Sequence, residues 1–135
     1  MCYNMVTELE PRMNCPLDAT MSVIEGRWKP TILCLLAFNG NMRFNRLLDN
    51  IGCVSPGILT KQLRELEKDG VIVRSVYAEV PTRVEYDLTE MGLTLTPLLK
   101  SMSDWGLKYI FKNKVIFDEG TILPVSIDNK VQQRP

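Results

Sequence analysis

Four thiols and one cluster of basic and polar side chains carry what chemistry this 135-residue sequence offers. The cysteines stand at positions 2, 15, 34 and 53, without the close pairs of a zinc site, and there is no histidine to complete one. Acid–base and phosphoryl-transfer catalysis also lack their usual residues: no histidine, no phosphate-cradling glycine loop and no defensible pair of carboxylates on a common face. No enzyme activity, metal or cofactor is therefore expected. The thiols retain redox and electrophile chemistry. Cys15 precedes Pro16, a residue suited to the first position of a helix, so its thiol lies at or beside the N-cap. There the helix dipole and the free N–H groups favour an anion, and a thiol ionises more readily than inside the helix. Cys34 falls in a nearly apolar run and is expected to be buried and inert, whereas Cys53 reads most simply as a small filler of a turn.

The basic cluster lies between Arg43 and Gly70. Phe44, Leu47, Leu48 and Ile51 recur at helical spacing and stop at Gly52; Leu59, Leu63 and Leu66 recur after a break and stop at Gly70. Ser55-Pro56 opens the second run, a hydroxyl to cap free N–H groups followed by a proline whose missing N–H costs nothing there. The spacing thus predicts two short helices around a tight turn, the helix-turn-helix pattern. With the leucines inward, the second helix turns Gly57, Thr60, Lys61, Arg64 and Lys68 outward, and Thr60, Lys61 and Arg64 would reach base edges or phosphates in a major groove. Lys68 is already accounted for by the dipole at the helix C-terminus. VIVRSVY, AEVPT and RVEYDLT follow at once and read as a β-hairpin, which makes the whole a winged helix-turn-helix: an α+β fold, mainly α. Arg83, just after Pro81-Thr82, is placed to meet the minor groove, while Glu79, Glu85 and Asp87 offer it ion-pair partners instead.

Sixteen basic and sixteen acidic residues cancel, so no global field marks a nucleic-acid binder, and the excess within 43–70 is a single positive charge. The length suits one domain. No apolar run approaches the roughly 20 residues that span a bilayer, and the first residues lack the apolar region of a signal peptide; a cytoplasmic protein with reduced thiols and no membrane partner is expected. Residues 1–14 read as a loosely held arm, 15–111 as the folded domain and 112–135 as a tail without period. Leu17, Thr20, Met21 and Ile24 share one face of the first helix. The next, from Trp28 to Phe38, is apolar nearly all round and belongs in the core, with Trp28 as an anchor or, alternatively, a pocket wall. In the last helix Leu98, Met102, Trp105 and Tyr109 form a stripe whose aromatics favour a dimer surface.

CPLDATMSVIEGRWKPTILCLL, RFNRLLDNI, LTKQLRELEKDGVIVRSVY and EVPTRVEYDLTEMG, in that order and followed by the tryptophan-bearing helix, resemble the HxlR-type bacterial transcription regulators, winged helix proteins related to the MarR type. The resemblance spans residues 15–111. It implies a homodimer built from N- and C-terminal helices, binding to double-stranded DNA, and sensing of oxidants or electrophiles through the cysteine of the CP motif, here Cys15. It maps recognition-helix positions onto Thr60, Lys61, Gln62 and Arg64 and the wing arginine onto Arg83; Arg43 and Ser55, flanking these, complete the candidate DNA-binding set. The chain departs from the family at Pro56-Gly57, where a basic or amide residue is common, and this shifts weight toward phosphate and groove-shape contacts. The expected function is a homodimeric, sequence-specific DNA-binding regulator switched at Cys15, with Cys2 on the arm as the candidate disulfide partner. Two alternatives remain open: a regulator that answers a small aromatic effector in a pocket walled by Trp28, Phe38, Met102 and Trp105, and a winged helix used only for protein contacts.

Overall fold

The computed structural model describes residues 15–111. In chain order the elements are α1 (Pro16–Ile24), α2 (Lys29–Asn39), β1 (Met42–Arg43), α3 (Phe44–Ile51), α4 (Pro56–Lys68), β2 (Ile72–Tyr77), β3 (Arg83–Leu88), α5 (Glu90–Thr94) and α6 (Thr96–Tyr109). Cys2 and the rest of the arm and tail lie outside the described residues.

Helix α2 is the centre of the core, as its apolar circumference predicts. Ile32, Leu33, Leu35 and Leu36 are fully buried, and Cys34 and Ala37 nearly so. Around it pack Leu47 and Ile51 of α3, Leu59, Leu63 and Leu66 of α4, Val71 and Ile72 at the start of the hairpin, Tyr86 and Leu88 of β3, and Leu99 of α6. Trp28 is half-buried against this cluster with the Arg27 guanidinium 4.8 Å from its ring centroid.

The hairpin forms where the β-branched runs place it. β2 and β3 pair antiparallel from Ile72 opposite Leu88 to Tyr77 opposite Arg83, leaving residues 78–82 as the wing tip. One element was not foreseen. Met42 and Arg43 form a two-residue strand that pairs with Tyr86 and Glu85, giving the sheet order β1-β3-β2. Two residues are too few to show alternation, so only the neighbouring strand defines them. The C-terminal segment divides at Leu95 into α5 and α6, with Pro97 in the first turn of α6 where its missing N–H is harmless.

Thr89 locks this segment to the end of α4. Its hydroxyl donates to Gly70 O at 2.6 Å and accepts from Gly92 N at 3.0 Å, while its own amide reaches Val71 O at 3.1 Å. Gly92 is there because nothing larger fits: a β-carbon at this buried position would fall 2.0 Å from Val71 O. The expected stripe of α6 is exposed, with Trp105 at 59% and its ring 5.3 Å from Tyr109, and Leu17 and Met21 of α1 are exposed as well. Of the face read for α1, Ile24 alone is buried. No helix among the described residues is long and apolar enough to cross a membrane.

Gly92→Ala should force α5 away from the root of the hairpin. We expect a loss of about 3 kcal/mol or more in unfolding free energy, well above the cost of an ordinary surface change, measured by urea denaturation.

Candidate nucleic-acid interface

The helix-turn-helix is built from local signals that each find their partner. Ser55 Oγ accepts from Ile58 N at 3.2 Å, so the hydroxyl caps α4 as its position predicts. Gly52 and Gly70, at φ +79° and +81°, end α3 and α4 in the left-handed region. The turn is filled by Val54, which is buried; Cys53 is exposed, which corrects its reading as a turn filler. Its backbone N–H donates to Ile51 O, and its thiol also lies 3.6 Å from that carbonyl oxygen.

Lys61 and Arg64 are exposed on the outer face of α4, as the leucine spacing requires. Thr60 is half-buried and its hydroxyl donates to Pro56 O at 2.8 Å, one turn back. Gln62 lies elsewhere. It is half-buried beside the α1–α2 turn, its Oε1 is buried without a hydrogen-bond partner, and a β-carbon on Gly26 would meet that oxygen at 2.7 Å. Gln62, which the family resemblance maps onto the recognition helix, therefore lies off its exposed face. The reason is rotation: one position before Leu63 and three after Leu59, it is carried to the flank of the buried stripe.

The flank of α4 nearest α2 bears an ion pair. Lys29, in the first turn of α2, has a side chain only 6% exposed, and its Nζ stands 2.7 Å from Glu65 Oε2. The hydrogen bond from Lys29 holds the Glu65 carboxyl below its ordinary range despite some opposing desolvation, and the Lys29 and Lys61 charges add to it. An ammonium this buried is tolerable only with a partner, so the pair fixes the rotation of the recognition helix against the core.

Opposite that flank, the N-terminus of α3, the face of α4 and the wing enclose a cleft of about 600 Å³. Arg43, Arg64, Arg74 and Arg83 line it together with Glu67 and Glu79. Arg43 is the N-cap of α3 and lies loosely against the sheet, with Nε 3.9 Å from Glu85 Oε1. Arg83 is gripped. Its Nη2 is 3.4 Å from Glu79 Oε1, its Nε is 3.3 Å from Glu85 Oε1, and its guanidinium sits 4.0 Å above the Tyr77 ring. Glu85 also accepts from Asn41 Nδ2 at 2.9 Å, so one carboxylate joins the approach to α3 with the wing. Arg74 was missed from the sequence. Its signal was parity: two residues after buried Ile72 and opposite Tyr86, it occupies the face of the hairpin turned toward the helices.

Cys15 is the N-cap of α1, but its side chain makes no capping hydrogen bond, and it is 7% exposed. Burial pushes the Cys34 thiol up to about 11, which leaves it an inert core residue. Of the side chains considered as pocket walls, Trp28 and Phe38 are half-buried at opposite ends of α2, and Met102 and Trp105 are exposed on α6. Among the described residues no group of three or more potential ligands could hold a metal ion.

Comparison with known proteins places these elements in a context. The family described as HxlR-like helix-turn-helix matches residues 23–114. The HTH-type transcriptional regulator YdeP of Bacillus subtilis is 48% identical over 95 residues, covering 70% of this chain and 73% of its own. Among solved structures, that of the HTH-type transcriptional regulator YtcD superposes with a TM-score of 0.66 at 43% identity, covering 70% of this chain and 96% of the other. The redox regulator HypR in its oxidised form gives 0.64 at 45% identity, again over 70% of this chain and 96% of the other.

Loss of the Lys29 partner should be measurable as stability. Glu65→Gln is expected to lower the unfolding free energy by about 1–2 kcal/mol near neutral pH, less than the 3–5 kcal/mol of a fully buried pair because Glu65 itself is 41% exposed. A carboxyl with a lowered folded-state pKa contributes stability above its ordinary range and loses it as pH falls through the folded value. The difference between wild type and variant should therefore shrink with acidification, followed by denaturation at a series of pH values.

Proposed function

We propose, for a chain that belongs to the HxlR-like helix-turn-helix family of transcriptional regulators, that it acts as a sequence-specific DNA-binding homodimer switched at Cys15. The observation that carries this reading is the juxtaposition of a capped recognition helix, whose exposed face bears Lys61 and Arg64, with an arginine-lined cleft under the wing. Helix α4 enters the major groove, Thr60, Lys61 and Arg64 meet base edges and phosphates, and Ser55 and Arg43 stand at the N-termini of α4 and α3, where backbone N–H groups favour phosphate.

Dimerisation follows from exposed apolar surface. Leu17 and Met21 of α1 and Leu98, Met102, Trp105 and Tyr109 of α6 are large apolar side chains left in solvent by the single chain. A second copy covering them sets two recognition helices about one helical turn apart on a two-fold operator.

Cys15 opens the helix that carries Leu17 and Met21, so a change at this thiol acts directly on the dimer surface. A hydroperoxide converts the thiol to a sulfenic acid and leaves as the alcohol; a thiol of the other subunit, with Cys2 the candidate, condenses with it to a disulfide and releases water. The new cross-link rotates the two subunits and spoils the half-site spacing. The likeness to a redox regulator at 45% identity supports this choice of signal.

The test is binding to a promoter fragment from the protein's own locus across a salt series, reduced and oxidised, with Cys15→Ser alongside. Affinity should fall steeply with salt, with a slope of about 0.9 per phosphate neutralised, and oxidation should change wild-type affinity at least tenfold while leaving Cys15→Ser unaltered. Wild-type affinity indifferent to oxidant would remove the switch and leave the regulator.

A further inference from the structure

We propose that Arg64 and Arg74 together hold one phosphate of the DNA backbone in the cleft between α4 and the wing, and that Arg83 is a strut that positions the wing. The assignment rests on the DNA-binding reading above and specifies which side chains of the cleft meet the DNA.

A helix in the major groove and a hairpin reaching the adjacent minor groove must straddle the sugar–phosphate strand that separates the two grooves. In this chain the space between α4 and the hairpin is the 600 Å³ cleft, so that strand runs through it. Four guanidinium groups line the cleft, and they differ in what already holds them. Arg83 is 26% exposed, lies within salt-bridge distance of both Glu79 and Glu85, and is stacked on Tyr77. Reaching a phosphate would require it to leave two carboxylates and an aromatic face, and those carboxylates would then confront the incoming anion. Arg43 lies only loosely against Glu85, at 3.9 Å, and from the N-terminus of α3 it serves a separate phosphate.

Arg64 and Arg74 differ on this point. Both are exposed, both line the cleft, and neither has an ion pair among the described residues. They approach from opposite walls, Arg64 from the outer face of α4 and Arg74 from the middle of β2. Two planar donor forks lining one cleft suit a phosphodiester, whose two free oxygens can each accept from one guanidinium. Glu79 is spoken for by Arg83 and does not neutralise them. The wing's acidic residues thus lock Arg83, and Glu67, which also lines the cleft, makes no ion pair with Arg64 or Arg74 among the described residues.

The experiment is a cycle between protein and DNA, using the full chain and a fragment the wild type binds. Arg64→Gln, Arg74→Gln and Arg83→Gln are combined with DNA in which single phosphates are replaced by neutral methylphosphonates. At one and the same backbone position the methylphosphonate should weaken Arg64→Gln and Arg74→Gln each less than it weakens wild type, and should have no further effect on the variant that carries both substitutions. The double variant should also lose about 0.9 of the salt slope per protomer bound, and each single variant less than that. Arg83→Gln should keep the wild-type slope, respond to every methylphosphonate as wild type does, and melt at a lower temperature. Full additivity for Arg74 with every methylphosphonate, or a lost slope unit and non-additivity for Arg83, overturns the assignment while leaving the regulator in place. Absence of salt-dependent binding by wild type to any fragment overturns the DNA-binding reading, and the assignment with it.

Discussion

The rest of the structure depends on a single geometric demand placed on α4: one face of a thirteen-residue helix must be core while the other remains available to a ligand. Leu59, Leu63 and Leu66 meet the first half of that demand against the apolar circumference of α2, each worth about 1.5–3 kcal/mol of burial. Burial of three leucines would by itself allow some rotation of the helix about its axis. The Lys29–Glu65 pair on one flank and the sheet on the other remove that freedom, because turning α4 would strand a buried ammonium in an apolar surround.

Electrostatics reconciles a net charge of zero with an affinity for phosphate. Acidic residues are not spread evenly against the basic ones. Glu85 gathers Asn41, Arg43 and Arg83 on the outer face of the sheet, and Glu79 closes on Arg83 from the wing tip, so several carboxylates act as structural ties between β1, β3 and the wing. Their charge is spent within the hairpin. The cleft and the outer face of α4 keep Lys61, Arg64 and Arg74 without ion pairs among the described residues. Local arrangement, and not the total, sets what such a surface attracts.

A second asymmetry runs through the apolar residues. The core around α2 is closed, yet α1 and α6 keep Leu17, Met21, Met102, Trp105 and Tyr109 in solvent. Cys15 stands at the N-cap position of the same α1, next to this apolar surface, and α2 lies between that helix and the recognition helix.

The sequence by itself determined the elements and their order. Helix boundaries were legible because caps, stops and periods are made by residues within one or two turns of each other: Ser55 and Ile58, Gly70 after Asp69, the leucines of α4, the β-branched runs of the hairpin. The same locality let Lys61 and Arg64 be placed outward and Cys34 inward. Only the tertiary structure decided the fates of the side chains whose partners are distant in the chain. Gln62 was drawn aside by Gly26 and the α1–α2 turn, Lys29 was buried by a carboxylate from α4, Met42 and Arg43 became a strand by pairing with β3, and Arg74 came to line with Arg64 a cleft that exists only once the hairpin folds back. Arg83 stood between the two cases, since its acidic neighbours were visible in sequence but Tyr77 beneath it required the cross-strand register. The physical reason is that backbone propensity and capping act over a few residues, whereas burial and ion pairing depend on which surfaces the folded chain brings together.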